Sequence, residues 1–509
     1  MFVRKKKNKS GKVSVQIISK SAREYKVVKT VGCSDDVSEI DKLVLEANQM
    51  IPEIMGQLPL GWETEFDKKI DEYLGSMANA QINVIGPELI LGSLFDRIGF
   101  NIFPSDLFRH LVIARLVYPG SKLKTIDYLQ RYKNVFVSSD RIYRFMDELQ
   151  NKYKERVEKI SFEHTKKILH GNITVVFYDM TTLYFEIEDE DDLRRIGFSK
   201  DGKFQQPQIM IGLLVGENGY PIGYDIFKGN TFEGHTFLPI LQAIGKKYDF
   251  PNPIVVADAG LLSKDNIEIL KNNGYTFIIG ARIKNETDVV KENIFKQSVG
   301  LEDGGGVKIE KTDGTWLIVT YSGKRKKKDS CNREKGLKKL KKQIQSGKLT
   351  KKHINNRGYN KFLKITGKLE VIIDEEKIKA DSKWDGLKGY VTNTELSVDD
   401  VVKNYTQLWQ VEKAFRISKT DLRIRPIYHQ LKNRIEAHIC ISFTAYAIYK
   451  ELERLLQKNK IGISAKRAIE LTQNMYKMTY ILPDSKKQKF KYLKMDNDQQ
   501  ILFKMMAEN

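Results

Sequence analysis

A run of β-forming residues that leads straight into a carboxylate constrains this chain more than any other stretch. It reads Thr174-Val-Val-Phe-Tyr-Asp179-Met-Thr-Thr-Leu-Tyr-Phe-Glu186. Val175, Val176, Phe177 and Tyr178 are β-branched or aromatic with no polar alternation, the pattern of a buried strand. Asp179 sits at the polar end of that strand. Thr181, Thr182 and a second apolar stretch follow, so the carboxylate is flanked by segments that favour the interior. A single aspartate there is equally the mark of a turn or of a helix start. Its weight comes from acidic partners farther along.

The order of elements can be read on either side of this strand. Residues 12–32 alternate as two half-buried strands would, and 36–56 and 63–79 have helical spacing, with breaks at Pro59, Gly61 and Gly86-Pro87. Together, 1–85 form a basic hairpin plus helices with a DNA-binding character, and 86–170 form a helical domain. After Asp179, strands are expected at 208–215 and 222–227, joined by the hairpin signal Asn218-Gly219. A helix at 234–247 follows, then Pro253-Ile-Val-Val-Ala-Asp258, a second apolar strand ending in an aspartate. With helix 264–272 and strand 275–279, residues 171–282 alternate as a mixed sheet with helices packed on it does.

Residues 283–386 break that rhythm as a β-rich insertion with short strands at 316–321, 362–366 and 369–373. Within it, residues 324–352 hold fourteen Lys or Arg against two acids, a local excess of 14 − 2 = +12. Such a block is either a solvated helical hairpin or an arm that tracks phosphates. Residues 387–457 resume the core with a strand at 388–392 and helices at 401–419 and 430–457, and 458–509 read as a helical tail. In the 401–419 helix, Val402, Tyr405, Leu408, Trp409, Glu412, Phe415 and Lys419 recur at three- and four-residue steps, which places Glu412 on the apolar stripe. A carboxylate there is costly unless it is paired or metal-bound.

Asp179, Asp258 and Glu412 are thus three acids at structured positions, 258 − 179 = 79 and 412 − 258 = 154 residues apart. Converging carboxylates repel unless a cation neutralises them, and oxygen-only donors suit magnesium. Two such ions can activate an attacking oxygen and stabilise a leaving one. Lys plus Arg number 86 against 65 Asp plus Glu, a net +21 that favours a polyanionic partner. The apolar stretches are too short to cross a bilayer, and no secretory signal opens the chain. Cys33, Cys331 and Cys440 form no Cys-x-x-Cys pair and fit a reducing, cytoplasmic setting.

These residues resemble bacterial insertion-sequence transposases of the DDE type, which have an RNase H-like catalytic domain. The resemblance is carried by Phe-Tyr-Asp179-Met-Thr-Thr, Gly229-Asn-Thr-Phe-Glu-Gly-His-Thr-Phe, Val-Ala-Asp258-Ala-Gly and Tyr405-Thr-Gln-Leu-Trp-Gln-Val-Glu412-Lys-Ala-Phe-Arg-Ile-Ser-Lys419. The last is similar to a Tyr-Arg-Glu-Lys signature with two, three and six residues between its members. Leu408 stands at the arginine position, a role that Arg416 is placed to take over. The resemblance covers about residues 90–450. It implies an RNase H-like mixed sheet with flanking helices, two Mg2+ ions (or Mn2+) held by Asp179, Asp258 and Glu412, and DNA phosphates held by Tyr405 and Lys419. Arg423 and Arg425, before Pro426, are further candidate phosphate contacts, and equally fit surface arginines at a helix exit.

The function implied is cleavage of double-stranded DNA at the inverted-repeat ends of an element and strand transfer into target DNA, with a homodimer in the synapse. A metal-dependent nuclease without strand transfer and a non-catalytic DNA-binding relic are the alternatives.

Overall fold

A computed structural model describes residues 1–21, 24–56, 65–75, 82–248, 253–261, 263–346, 355, 358–365, 371–482, 485 and 487–508. The expected breaks at Pro59 and Gly61, both ends of the 63–79 helix, the last part of the basic block and residues 366–370 of the insertion lie outside them. The chain divides into two units, Met1–Gln81 and Ile82–Asn509.

In the first unit the expected strand pair, Val13–Ser21 and Glu24–Ser34, is joined by a third strand, Phe2–Lys7. Its basic side chains leave the backbone free to pair antiparallel with Val13–Ile18. Val15 and Ile17 pack on Ile40 and Ala47 of the helix Val37–Ile54, whose first amides are capped by the Asp36 carboxylate.

The second unit is built on an eight-stranded mixed sheet. Its strands are β1 (Val175–Tyr184), β2 (Gln208–Val215), β3 (Pro221–Lys228), β4 (Ile254–Ala257), β5 (Thr276–Ala281), β6 (Gly306–Glu310), β7 (Trp316–Tyr321) and β8 (Leu387–Thr392). They lie in the order β6-β7-β8-β5-β4-β1-β2-β3. β1 pairs parallel with β4, and β4 with β5. The meander β1-β2-β3 is antiparallel, and its tight turn places Asn218 and Gly219 at φ 59° and 78°, the left-handed pair that such a hairpin needs. Three antiparallel strands followed by two parallel ones make the sheet RNase H-like, in a mixed α/β fold.

β1 corrects one expectation. The strand does not stop at Asp179 but runs on through Thr181, Thr182 and Leu183 to Tyr184, because these residues continue the ladder with β2. β4 does stop, at Ala257, opposite Tyr178. Asp179 therefore lies within β1 at the first position beyond the end of its parallel neighbour.

Alternation along the sheet divides the core in two. Val176, Tyr178, Val255 and Ala257 face one cluster, while Phe177 and Val256 face the other, which also holds Val401, Tyr405, Leu408, Val411 and Ala414. Asp179 and Asp258 share the parity of Phe177 and Val256. The second cluster is centred on a 27-residue helix, Lys432–Lys458, buried on nearly every side.

Two strands of the insertion join this sheet as β6 and β7, while Leu363–Ile365 and Val371–Ile373 pair with each other in a separate two-stranded sheet. The described part of its basic block forms a helix, α1 (Gly323–Gln345), capped by Ser322 and held by Leu340 packing on Phe362 and Leu363. Lysine, arginine and glutamine favour helix once a cap and an apolar edge are supplied. The expected helix at 401–419 is two, α2 (Val398–Thr406) and α3 (Trp409–Thr420). The tail is not wholly helical, since Tyr476–Ile481 and Gln488–Tyr492 form a sheet with Ile82–Val84. Among the described residues no helix is long and apolar enough to cross a membrane.

Candidate active site

The parallel pairing of β1 with β4 sets Asp179 and Asp258 side by side. Tyr178 opposes Ala257, so the next residue of each strand's chain is an aspartate, on the same side of the last parallel pair. The Asp179 carboxyl is raised to about 6, first by burial and further by the Glu233 and Asp258 carboxylates, against the opposing charge of Lys200. Crowded acids of this kind favour a cation.

Glu233 belongs to the short turn Glu233–His235 that follows β3. The turn is pinned from below, where the buried Tyr178 hydroxyl lies 2.7 Å from Thr236 Oγ1, which also donates to the Glu233 carbonyl at 2.7 Å. Gly229 starts the segment because a Cβ there would lie 2.0 Å from the Gln208 carbonyl oxygen. Across the site, a Cβ on Gly260 would be 3.3 Å from Glu233 Oε2, which places this carboxylate beside the Asp258-Ala-Gly segment.

Tyr405 reaches Asp258 from the helix side, its hydroxyl donating to Oδ1 at 3.3 Å. Its ring is buried 4.7 Å from that of Tyr390, and Lys388 Nζ lies 4.4 Å from the Tyr405 ring centre. The phenol is held well above its ordinary pKa, by burial first and then by Asp258, so it acts as a donor. Lys388 is lowered by burial and by Arg325, while Asp258 and Glu412 pull the other way. The charges of Glu412 and Asp258 thus both act on Lys388 and Tyr405.

Glu412 is exposed, however, not on the apolar stripe. Gln407 and Leu408 donate to the carbonyls three residues back, at Asn404 and Tyr405, which tightens the chain between α2 and α3. The buried stripe then advances by threes through Leu408, Val411, Ala414 and Ile417, turning Trp409, Glu412 and Arg416 outward. Leu408 is core, which accounts for the missing arginine. Among the described residues no three His, Cys, Asp or Glu side chains stand close enough together to hold a metal ion. Asp179 and Asp258 are brought together; Glu412 shares their surroundings at greater reach. The oxygen-only donors and the raised Asp179 nevertheless fit a hard divalent cation.

Of the expected phosphate contacts, Tyr405 is buried with its hydroxyl on Asp258 instead, and the four cations divide in two. Lys419 and Arg425 converge on Asp201, with Nζ to Oδ2 at 3.3 Å and Nη1 to Oδ2 at 2.6 Å. Arg416 and Arg423 are exposed, Arg423 with a left-handed φ of 44°. The sequence reading assigned no role to Glu233, Lys200, Asp201 or Lys388. Glu233 stood in a quoted motif, but the others carried no signal, since loop charges acquire meaning only from what they face.

A family model described as Transposase DDE domain matches residues 171–448, more than half of the 509-residue chain. No curated protein matches. Among solved structures, the piggyBac transposase synaptic complex with hairpin DNA is similar at 10% identity and a TM-score of 0.38, over 76% of each chain. The Mos1 transposase paired-end complex with left transposon end is similar at 11% identity and a TM-score of 0.16, over 46% of this chain and 71% of that one.

Proposed function

Because the chain belongs to the transposase DDE domain family, we propose that this DNA transposase binds the inverted-repeat ends of a bacterial insertion sequence, nicks them by hydrolysis, and joins the freed 3′-hydroxyls to target DNA. The observation that carries the reading is the pair Asp179 and Asp258, each the first residue past the point where the parallel pairing of β1 and β4 stops, with Tyr405 donating to Asp258.

Asp179 and Asp258 would hold the divalent ions, with Glu412 completing the ligand set from α3. Mg2+, with Mn2+ able to substitute, supplies activation of the attacking oxygen and stabilisation of the leaving one. Tyr405 fixes the orientation of Asp258, and its buried ring keeps α2 on β5. Lys419 and Arg425, with the exposed Arg416 and Arg423, would neutralise the backbone phosphates beside the acids. The exposed lysines of α1 would add further phosphate contacts. The working form is a homodimer on paired ends, in the cytoplasm and on the nucleoid.

The test incubates the purified protein with duplexes carrying the inverted repeats that flank its gene, plus supercoiled target and Mg2+. Nicked ends followed by joined products are expected. Asp179→Asn, Asp258→Asn and Glu412→Gln should each reduce nicking to background while end binding is retained. A variant that cuts at the normal rate removes its residue from the site, and nicking without joined products makes the protein a nuclease.

A further inference from the structure

The loop between β1 and β2 carries two consecutive charges that point to different halves of the site. Lys200 Nζ lies 2.7 Å from the Met180 carbonyl oxygen, 2.7 Å from Glu233 Oε1 and 3.7 Å from Asp179 Oδ1. Asp201, one residue on, lies between Arg425 and Lys419 at 2.6 and 3.3 Å. An ammonium is thus set among the acids and a carboxylate between the cations. A divalent ion bound to Asp179 and a DNA phosphate on Lys419 and Arg425 would place the same two signs of charge at the same two places.

The rest of the loop is lightly anchored. Phe198 and Phe204, which flank the pair, are 77% and 57% exposed and lie 6.2 Å from each other. Gly202 provides a left-handed φ of 74° for the turn, and Ser199 Oγ accepts from the amides of Asp201 and Lys203 at 3.3 and 3.1 Å. The Lys200 amide donates to Thr182 Oγ1 at 3.2 Å, and the Gln208 side chain donates to the Phe198 carbonyl at 3.0 Å. The buried Ser199 also accepts from the Gly202 amide through its carbonyl, Lys203 Nζ lies 5.4 Å from the Tyr184 ring centre, and the two charges complete the attachment of the tip. The Lys200–Glu233 pair is partly exposed and so salt-sensitive, while the Asp201 pairs are more buried and exchange only for another anion, such as a phosphate, on the same two cations.

We propose that Lys200-Asp201 is an internal stand-in for cation and phosphate, an autoinhibitory contact that occupies the site until divalent metal and DNA displace it. The proposal rests on the ligand role given above to Asp179 and the phosphate role given to Lys419 and Arg425. It requires the loop to swing away from β1 on binding, and it makes each charge of the pair a competitor for one ligand.

The experiment titrates the full-length, DNA-free protein with Mn2+ by calorimetry, in the wild type, Lys200→Met, Lys200→Gln and Asp179→Asn, with folding of each checked by circular dichroism. Both Lys200 variants should bind Mn2+ more tightly than the wild type, by about fivefold, the upper range for a half-exposed ion pair. In parallel, Asp201→Asn should bind duplex DNA more tightly, with a salt dependence steeper by roughly 1 to 2 in log–log slope, as one or two freed cations gain phosphates. Unchanged or weaker Mn2+ affinity in folded Lys200 variants, or an unchanged DNA affinity and slope in Asp201→Asn, overturns the stand-in. Asp179→Asn separates this outcome from failure of the underlying reading. If it binds Mn2+ like the wild type, Asp179 is not a ligand. If it loses Mn2+ while the Lys200 variants match the wild type, only the autoinhibitory contact fails.

Discussion

Asp179 is a carboxylate held against the fold's own interest. Its carboxyl is raised to about 6 by burial and by the neighbouring acids, compared with an ordinary value near 3.9. A raised carboxyl binds its proton more tightly in the folded chain, so its contribution to stability is fully present below about pH 4 and is lost as pH rises through about 6. Asp179→Asn, besides ending catalysis, should raise the melting temperature, by an increment larger at pH 8 than at pH 5. The gain should be about 1–3 kcal/mol at the higher pH; a lower melting temperature at pH 8 would contradict the assignment. Tyr405 carries the complementary risk. Tyr405→Phe keeps the ring on Tyr390 and removes one donor to Asp258, so it should cost about 1 kcal/mol of stability and lower nicking with little change in end binding. Gly280→Ala should be more damaging to nicking than to binding, since its Cβ would lie 2.5 Å from the Tyr405 hydroxyl. Parallel assays of nicking and binding on each variant check both expectations.

Strands and their order were the most legible part of the sequence, because β-branched runs and turn residues act locally. The run at 175–178, the Asn218-Gly219 turn and the second run ending in Asp258 each became part of the sheet. What remained hidden depends on partners. Asp179 lies inside β1 and not at its end, since the ladder with β2 continues where that with β4 stops. Glu412 left the apolar stripe because two three-residue hydrogen bonds between α2 and α3 changed the phase of everything downstream. Lys200 and Asp201 could not be recognised as facing acids and bases from their own neighbours in the chain. The described part of the basic block became helical because a serine cap and one apolar edge outweighed self-repulsion, and its outer face presents Lys326, Lys327, Lys338 and Lys341 to solvent. Replacing these four by glutamine should change the unfolding free energy by no more than about 0.5 kcal/mol per substitution. The log–log salt slope of DNA binding should fall by roughly 0.9 for each lysine that contacts a phosphate. An unchanged slope would make α1 a solvated face and nothing more.

Across the whole chain, the surplus of 86 basic over 65 acidic residues has a consequence that does not depend on any one side chain. DNA affinity should fall steeply between about 50 and 200 mM salt as counterions are released, and binding to paired ends should double the protein mass per complex in sedimentation. The small acidic centre set in this positive background is the chemical core of the account. Its most direct test is anomalous scattering from Mn2+ in crystals of the protein bound to its element end. The account predicts manganese at bonding distance, about 2.0–2.3 Å, from carboxylate oxygens of both Asp179 and Asp258, with Glu412 drawn into the same coordination shell. Manganese bound elsewhere, or a Glu412 that stays apart while DNA is engaged, would contradict it.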